Sequence, residues 1–231
     1  MISCLCVTRD KPDMLARVIR CFRNQSYENK QLVILYEDFD LATDQFIKRR
    51  EWEKRIKIIR VGASPVKCSL GELRNISVRE ADGEYVCQWD DDDWFDPDRL
   101  TNQMQHIQTT GKPACLLSRW IVYDAIHQKA YISNRRLWEG SILCQKLLML
   151  EKPYPAVSKG EDSSVIEFLY QQQHLHIIED MPELYIYISH GNNTWEQSHF
   201  DLIFTCSTAL SDEVASDIQA ILEDEYSNNE I

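Results

Sequence analysis

The sequence predicts an α/β fold in which helices cover both faces of a central, mostly parallel sheet. Short apolar runs alternate with helix-like segments through the first half of the chain, an order typical of parallel sheets. Apolar residues make up 44% of the 231 residues and charged residues 27%, a composition that supports a sizeable core and excludes a disordered chain. This length suits one domain, so we expect residues 1–231 to fold as a single unit.

Four apolar runs in the first half have the length and composition of buried strands. They are Ile2–Val7, Leu32–Tyr36, Ile56–Val61 and Tyr85–Trp89. Helices are predicted from Pro12, over Leu41–Lys54, over Leu70–Ala81, and after the fourth strand with Asp96 as N-cap and Pro97 as first helical residue. In sheets of this kind, ligands bind beyond the carboxyl ends of the strands.

The second half of the chain is less regular. A hairpin-like pair is predicted over Leu116–Tyr123 and Lys129–Ile132, and further strands over Leu175–Ile178 and Tyr185–Ser189. Helices are predicted over Ile142–Leu150 and Asp162–Tyr170, and at the C-terminus, where Val214, Ile218, Ile221 and Leu222 form one apolar stripe. The acidic tail from Glu223 onward is expected to fray.

Charge and apolar patterning exclude several classes of protein. The formal net charge of −12 argues against a duplex nucleic-acid binder, but it allows a nucleotide if a cation supplies positive charge. No run reaches the roughly 18 apolar residues of a membrane helix, and the first residues do not resemble a signal peptide. We therefore expect no membrane span and a cytoplasmic location. Cys4, Cys6, Cys87 and Cys115 lie in apolar runs and are expected to be buried, reduced thiols.

Four consecutive aspartates, Asp90 to Asp93, follow the fourth strand. In an extended segment Asp90 and Asp92 would point to one side and Asp91 and Asp93 to the other. A carboxylate pair at a strand end can hold Mg²⁺ or Mn²⁺, whereas the alternative is a solvated acidic loop. A calcium EF-hand loop is excluded. Counted from Asp90 or Asp91, the sixth position of such a loop would not be glycine and the twelfth would not be glutamate.

Several motifs resemble those of family 2 glycosyltransferases, which have the Rossmann-like GT-A fold. The run Gly83 to Asp93 resembles the DxD segment, Leu70-Gly71-Glu72-Leu73-Arg74-Asn75 the G-x-x-x-R-N helix, and Gly160-Glu161-Asp162 the E-D motif. The run His190 to Trp195 resembles a late loop of some members. Each motif is short, but their order and spacing match the family.

The resemblance implies roles for these residues. Asp92 and Asp90 would bind Mn²⁺ or Mg²⁺, with His190 as a further ligand. The residues assigned to the nucleotide sugar are Thr8, Arg9, Glu37, Asp38, Arg74, Asp90, Asp91 and Asp93. Asp162, next to Glu161, is the candidate general base, and Trp138 and Glu139 are assigned to the acceptor side.

Each assignment has an alternative that the sequence leaves open. Glu161 and Asp162 could simply begin a helix, where acidic side chains favour the dipole. His190 could be structural, Arg74 could form a surface ion pair, and Trp138 could be a packing anchor.

Two segments depart from the family pattern. The first strand ends in Val7-Thr8-Arg9-Asp10 where a P-T-Y-N-like turn is usual, and the second in Tyr36-Glu37-Asp38-Phe39 where D-D-G-S is usual. The second segment commonly touches the base in the family, which is usually uracil.

The motifs together predict an inverting glycosyltransferase that moves a sugar from a nucleotide donor, expected to be a UDP-sugar, to a saccharide, lipid-linked or protein acceptor. Residues 1–110 would bind the donor and residues 111–210 the acceptor, followed by a C-terminal helix and tail over 211–231. One alternative is a nucleotidyltransferase, which usually carries a glycine-rich loop after the first strand; residues 3–13 contain no glycine. The other is a degenerate, non-catalytic binding module.

Overall fold

The computed structural model describes residues 1–62 and 67–227, and the side chains of residues 1–62 and 67–223. The strands are β1 (Ile2–Val7), β2 (Lys30–Glu37), β3 (Ile56–Val61), β4 (Tyr85–Gln88), β5 (Trp94–Phe95), β6 (Ala114–Leu117), β7 (Ile121–Asp124), β8 (Lys129–Ile132), β9 (Leu143–Gln145), β10 (Leu175–Ile178), β11 (Tyr185–Ser189) and β12 (Thr208–Ala209). The helices are α1 (Pro12–Asn24), α2 (Leu41–Lys48), α3 (Leu70–Glu80), α4 (Arg99–Thr110), α5 (Lys146–Glu151), α6 (Ser163–Gln171), α7 (Gln197–Cys206) and α8 (Asp212–Ser227).

The larger sheet has seven strands in the order β10-β6-β9-β4-β1-β2-β3. The β1–β2, β2–β3, β1–β4 and β6–β10 pairs are parallel, and only β9 runs antiparallel to its neighbours β4 and β6. The predicted mostly parallel sheet is therefore confirmed. Because the chain leaves β1 toward β2 and returns to its other side with β4, the strand order reverses there, which opens a crevice at their carboxyl ends.

A smaller sheet with the order β12-β8-β7-β11-β5 stands beside this crevice. Its strand β5 follows the four aspartates directly and pairs antiparallel with β11. Strand β11 also pairs in parallel with β7, which forms the hairpin with β8. The aspartates are thus held between the two sheets.

Apolar residues cover both faces of the larger sheet. Leu32 and Ile34 of β2 belong to one core cluster and Val33, between them, belongs to the other. All eight residues of β2 are buried, as expected for a parallel strand with helices on both faces. The predicted inward side of α1 is confirmed by the burial of Leu15, Val18, Ile19 and Phe22. Cys4, Cys6, Cys87 and Cys115 are buried free thiols, as the sequence predicts.

Two helix predictions were too long. The helix predicted over Leu41–Lys54 ends at Lys48, where the Trp52 indole N–H donates to the Ile47 carbonyl and closes the helix end. The segment predicted as a helix from Ile142 begins instead as β9, and α5 starts only at Lys146. β9 fills the gap between β4 and β6, so its ladder hydrogen bonds override the local helical pattern.

The predicted start of α4 was also wrong. The helix begins at Arg99 and not at Pro97, because Asp96 accepts a hydrogen bond from the Asp98 N–H in a turn before the helix. Trp94 and Phe95, immediately before this turn, form the unpredicted strand β5.

The second half contains further differences. The run Leu116–Tyr123 breaks after Leu117, so that its two parts join different sheets as β6 and β7. Helix α7 was not predicted. Helix α8 is confirmed and continues to Ser227, beyond the predicted onset of fraying at Glu223, while residues 228–231 lie outside the described part. No helix in the described residues is long and apolar enough to cross a membrane.

Candidate active site

A cavity of about 440 Å³ opens at the carboxyl ends of β1 and β4. It brings together most of the residues that the sequence singled out. The predicted site residues in its lining are Thr8, Arg9, Arg74, Asp90, Asp91, Asp92, Asp93, Trp138, Glu139, Glu161 and Asp162.

The four aspartates do not alternate as an extended segment would. The chain turns at Asp91 and Asp92, and both of these side chains contact the Lys11 ammonium, at 3.3 and 2.6 Å. Asp90 instead contacts Arg74 at 2.9 Å. The strict alternation expected of an extended segment is therefore wrong, since Asp91 and Asp92 share one cation, while a joint metal site of Asp90 and Asp92 stays a prediction.

Asp93 joins the two sheets. Its carboxylate accepts a hydrogen bond from the Tyr185 hydroxyl and another from the Ile188 N–H at 3.1 Å, and both residues belong to β11. Burial raises the pKa of Asp93, and the neighbouring Asp92 adds to the rise. These contacts fix the turn that carries the other aspartates.

Arg74 connects the aspartates to the segment before α6. Its guanidinium donates to Asp90 at 2.9 Å and to Glu161 at 2.8 Å, and the residue is only 8% exposed. Helix α3 is well anchored for this purpose, since Ser69 and Glu72 form a complete capping box. Arg74 therefore forms a buried double ion pair and not the surface pair considered above.

Asp162 lies immediately before α6 with its side chain facing the cavity. Its carbonyl accepts the first hydrogen bonds of α6, but its carboxylate makes no cap hydrogen bond, so the alternative in which it merely begins the helix does not account for the position of this side chain. Burial raises the pKa of Asp162 to about 7; Glu161 and Glu139 add to the rise and Arg74 opposes it. A carboxyl group with this pKa can exchange a proton near neutral pH.

Asp92 and His190 form a pair that can be tested for metal binding. His190 Nε2 lies 3.2 Å from Asp92 Oδ2, close enough for both atoms to bind one ion. The His190 and Lys11 contacts hold the pKa of Asp92 below its usual range, although burial opposes this. His190 Nδ1 accepts a hydrogen bond from the Asn192 N–H at 3.3 Å, an arrangement that leaves the proton of a neutral ring on Nε2. A metal could bind Nε2 only after this proton has left Nε2.

These two residues fit a cation that keeps other ligands. In residues 1–62 and 67–227 no group of three or more His, Cys, Asp or Glu side chains is placed to hold a metal ion alone. Mg²⁺ and similar hard ions are commonly bound by one or two carboxylates, with substrate phosphates and water completing the shell. Asp92 and His190 therefore suit a metal that binds together with a diphosphate.

The segment after β2 lies farther from the cavity. Arg9 lines the cavity and forms an ion pair with Glu37, and its guanidinium also lies 5.2 Å from the centre of the Phe39 ring. Among the described residues, Glu37 and Asp38 are not part of the lining. Their contact with a nucleotide base stays a prediction.

Trp138 and Glu139 form part of the cavity wall. The Trp138 ring stacks on Trp120, with 4.2 Å between the ring centres, and meets Tyr185 edge-on. Glu139 pairs with Arg136 at 3.2 Å. Trp138 is thus firmly packed as well as facing the cavity.

Lys11 is the site residue that sequence reasoning missed. Burial alone would lower the pKa of Lys11, but Asp91 and Asp92 outweigh this effect and raise it. The available signal was weak: a lysine directly before Pro12, at the end of a β1 loop that also holds Thr8 and Arg9.

Comparison with known families agrees with this geometry. Residues 3–208 match the family described as Glycosyl transferase family 2. The chain belongs to this family. It is accordingly a glycosyltransferase domain, and the family expected from the motifs is confirmed. No curated protein matches the chain.

Solved structures share the fold of this family 2 chain. TarS 1–349 from S. aureus, in complex with UDP, matches with a TM-score of 0.64 and 14% identity over 87% of this chain and 69% of that chain. The complex of the same fragment with UDP-GlcNAc matches with a TM-score of 0.65 and 13% identity, over 87% and 70% of the two chains. The chain covers 42% of the longer TarS structure.

A fourth similar structure comes from Pyrobaculum calidifontis. Its mannosyltransferase PcManGT, in complex with GDP-Man and Mn²⁺, matches with a TM-score of 0.63 and 12% identity, over 86% of this chain and 59% of that chain. At these identities the likeness concerns the fold, which is the expected GT-A type with a central, mostly parallel sheet.

Proposed function

We propose that this chain is a metal-dependent, inverting glycosyltransferase that uses a nucleoside-diphosphate sugar, with UDP as the expected nucleotide. One observation carries the proposal: Arg74 ties Asp90 to Glu161, and thereby holds Asp162, whose pKa is about 7, in the same cavity as Asp92. The neighbours crystallised with UDP, UDP-GlcNAc or GDP-Man support a nucleotide-sugar donor.

The donor site would combine the aspartates with the basic side chains of the cavity. Asp92, with His190 and with Asp90 nearby, would hold Mn²⁺ or Mg²⁺, and the Mn²⁺ in PcManGT supports this choice. When bound, such an ion offsets the charge that develops on the departing diphosphate. Thr8, Arg9 and Arg74 would border the donor, since all three line the cavity.

Asp162 would act as the general base. It would accept the proton of the acceptor hydroxyl while that oxygen forms a bond to the anomeric carbon and the bond from this carbon to the diphosphate breaks. A single displacement of this kind inverts the anomeric centre. Glu161 would position Asp162 through its ion pair with Arg74.

The acceptor would approach along the wall that contains Trp138 and Glu139. Its expected class is a saccharide, a lipid-linked molecule or a protein with a free hydroxyl.

The described cysteines are free thiols, which supports a cytoplasmic location.

Donor binding can be tested by thermal denaturation of the full chain. Mn²⁺ and UDP together should raise the melting temperature, because a ligand that binds only the folded state stabilises it. Asp92→Asn should abolish this rise, whereas Asp217→Asn, which removes an exposed carboxylate outside the cavity lining, should retain it. If none of UDP, GDP and CMP shifts the melting temperature of the wild-type protein with metal present, the assignment of the donor site is wrong.

Catalysis can be separated from binding with a panel of nucleotide sugars. A functional transferase should release the nucleoside diphosphate from at least one donor when Mn²⁺ or Mg²⁺ is supplied. Donor binding without release or transfer, with any acceptor class above, would favour the non-catalytic binding module. Family membership already favours glycosyl transfer over nucleotidyl transfer.

A further inference from the structure

Lys11 is positioned as a built-in counter-cation of the aspartates. Its ammonium lies 2.6 Å from Asp92 Oδ2 and 3.3 Å from Asp91 Oδ1, and its side chain is 21% exposed. The carboxylates of Asp91 and Asp92 are more deeply buried, with 10% and 12% of their side chains exposed, respectively. Buried carboxylates need a partner of opposite charge, so Lys11 stabilises this turn in the free protein.

A divalent cation that binds Asp92 beside His190 competes with Lys11 for the same carboxylate oxygen. Lys11 holds the same oxygen, Asp92 Oδ2, that lies beside His190 Nε2. A cation at this oxygen would also repel the ammonium, because like charges a few ångströms apart in a partly buried site interact strongly. Lys11 would then keep only its 3.3 Å contact with Asp91 and could take a second partner within reach of its flexible side chain.

The donor offers such a partner. Lys11 lines the same cavity as Arg9 and Arg74, and an ammonium group supplies three hydrogen-bond donors suited to phosphate oxygens. Arg74 is already engaged by Asp90 and Glu161, and Arg9 by Glu37. Lys11 is therefore the cavity cation whose contact with Asp92 a metal would displace.

We propose that Lys11 exchanges partners during donor binding: it neutralises Asp91 and Asp92 in the free protein and moves to the donor diphosphate when a divalent cation binds Asp92. This inference rests on the proposed function and adds a donor-binding residue to it. One consequence is that Lys11 opposes the metal when it binds alone and favours the nucleotide when it binds with the metal.

The two opposite effects provide the test. In Lys11→Met, which keeps the length of the side chain but removes its charge, calorimetry without nucleotide should show Mn²⁺ binding about tenfold tighter. UDP binding at saturating Mn²⁺ should be about tenfold weaker in the same variant. Lys48→Met, which replaces an exposed lysine that pairs with Asp44 at 2.7 Å outside the cavity lining, should leave both affinities within about twofold of wild type.

The outcomes distinguish the inference from the proposed function. Weaker binding of both Mn²⁺ and UDP to Lys11→Met would mean that Lys11 only maintains the structure, and unchanged affinities would mean that it has no role; either result overturns the inference alone. Failure of the wild-type protein to bind UDP with Mn²⁺ would overturn the proposed function and the inference with it.

A measurement on the wild-type chain covers the case in which Lys11→Met does not fold. Acylation of lysine amines, read by mass spectrometry, should label Lys11 slowly in the free protein, faster with Mn²⁺ alone and slowly again with Mn²⁺ and UDP. Lys48 should be labelled equally in all three conditions. Equal labelling of Lys11 throughout would contradict the exchange of partners.

Discussion

Asp162 combines the proposed chemistry with a cost in stability. Its carboxyl group keeps a proton up to about pH 7 in the folded chain, because burial disfavours the charged form. In the unfolded chain the same group loses its proton near its ordinary pKa of 3.8. Between these values the folded state binds more protons, so the contribution of Asp162 to stability falls as pH rises from about 4 to 7.

Replacement of Asp162 should therefore separate activity from stability. Asp162→Asn should lower the transfer rate by about 10²–10⁴-fold, the usual contribution of a general base, with UDP affinity nearly unchanged. At pH 8 its melting temperature should exceed that of the wild type by about 2–4 °C, a gain of about 1 kcal/mol for a chain of this size. The gain should disappear near pH 4, where Asp162 is protonated in the folded protein.

The pH profile of the wild type gives a further check on the same residue. Transfer should increase as pH rises through about 7, because only the ionised carboxylate accepts a proton. Unchanged turnover in Asp162→Asn would remove this residue from the mechanism. A gain in stability that is the same at pH 4 and pH 8 would contradict the perturbed pKa.

Individual site residues were predictable to the extent that they belong to motifs. Arg74, the aspartates and Asp162 stand in short patterns with recognisable neighbours, so the sequence located them. Lys11 stands in no such pattern, and its role follows only from the fold, which brings it within 2.6 Å of a residue 81 positions away. The pKa of Asp162 was likewise invisible, since burial arises from packing.

At the scale of elements, one side of α3 holds the site together. Gly71, Arg74 and Asn75 are spaced to share this side of the helix. The Asn75 amide bonds both the carbonyl and the N–H of Tyr154, and Arg74 bonds Glu161. Helix α3 thus anchors the chain segment that leads to Asp162, and this explains why glycine, arginine and asparagine occur at these spacings.

Gly71 permits this close approach. A Cβ atom at this position would lie 1.9 Å from the Pro155 carbonyl oxygen and 3.3 Å from Glu161 Cβ. Gly71→Ala should therefore destabilise the protein by about 1–3 kcal/mol, despite the better helix propensity of alanine. It should also slow transfer, because the segment before Asp162 must move.

Chemical denaturation and turnover assays check this prediction with a matched control. Gly62→Ala adds a Cβ atom that meets no atom of the described residues within 4 Å, so its stability and activity should stay near wild type. A stability for Gly71→Ala equal to that of Gly62→Ala would show that α3 and residues 154–161 have room to separate.

Elements were predictable where local pattern and sheet position agree. The bounds of β1, β3, β10 and β11 match the predicted runs. β1 and β11 are short, mostly apolar, buried segments, and β3 and β10 keep enough apolar residues to show the same pattern. β5 and β9 have only two and three residues, and they are strands because of the neighbours that they pair with. No local signal of that length distinguishes a strand from a turn or a helix end.

At the scale of the whole molecule, the aspartates connect parts of the chain that are far apart in sequence. Asp90 is linked through Arg74 to residues before α6, Asp92 to His190 after β11, and Asp93 to β11 itself. The first and second halves of the chain therefore meet at one turn. A ligand bound at this turn should stabilise segments from both halves and not only the strands that carry the aspartates.

Hydrogen exchange can measure this coupling. Binding of UDP with Mn²⁺ should slow amide exchange at residues 8–12, 88–93, 158–163 and 190–195, because each of these segments contributes to the cavity or contacts Asp92. Exchange in α2, which takes no part in the cavity lining, should stay unchanged and serves as the internal control. Protection confined to residues 8–12 and 88–93 would separate the nucleotide from Asp162, and the catalytic arrangement would then need a different base.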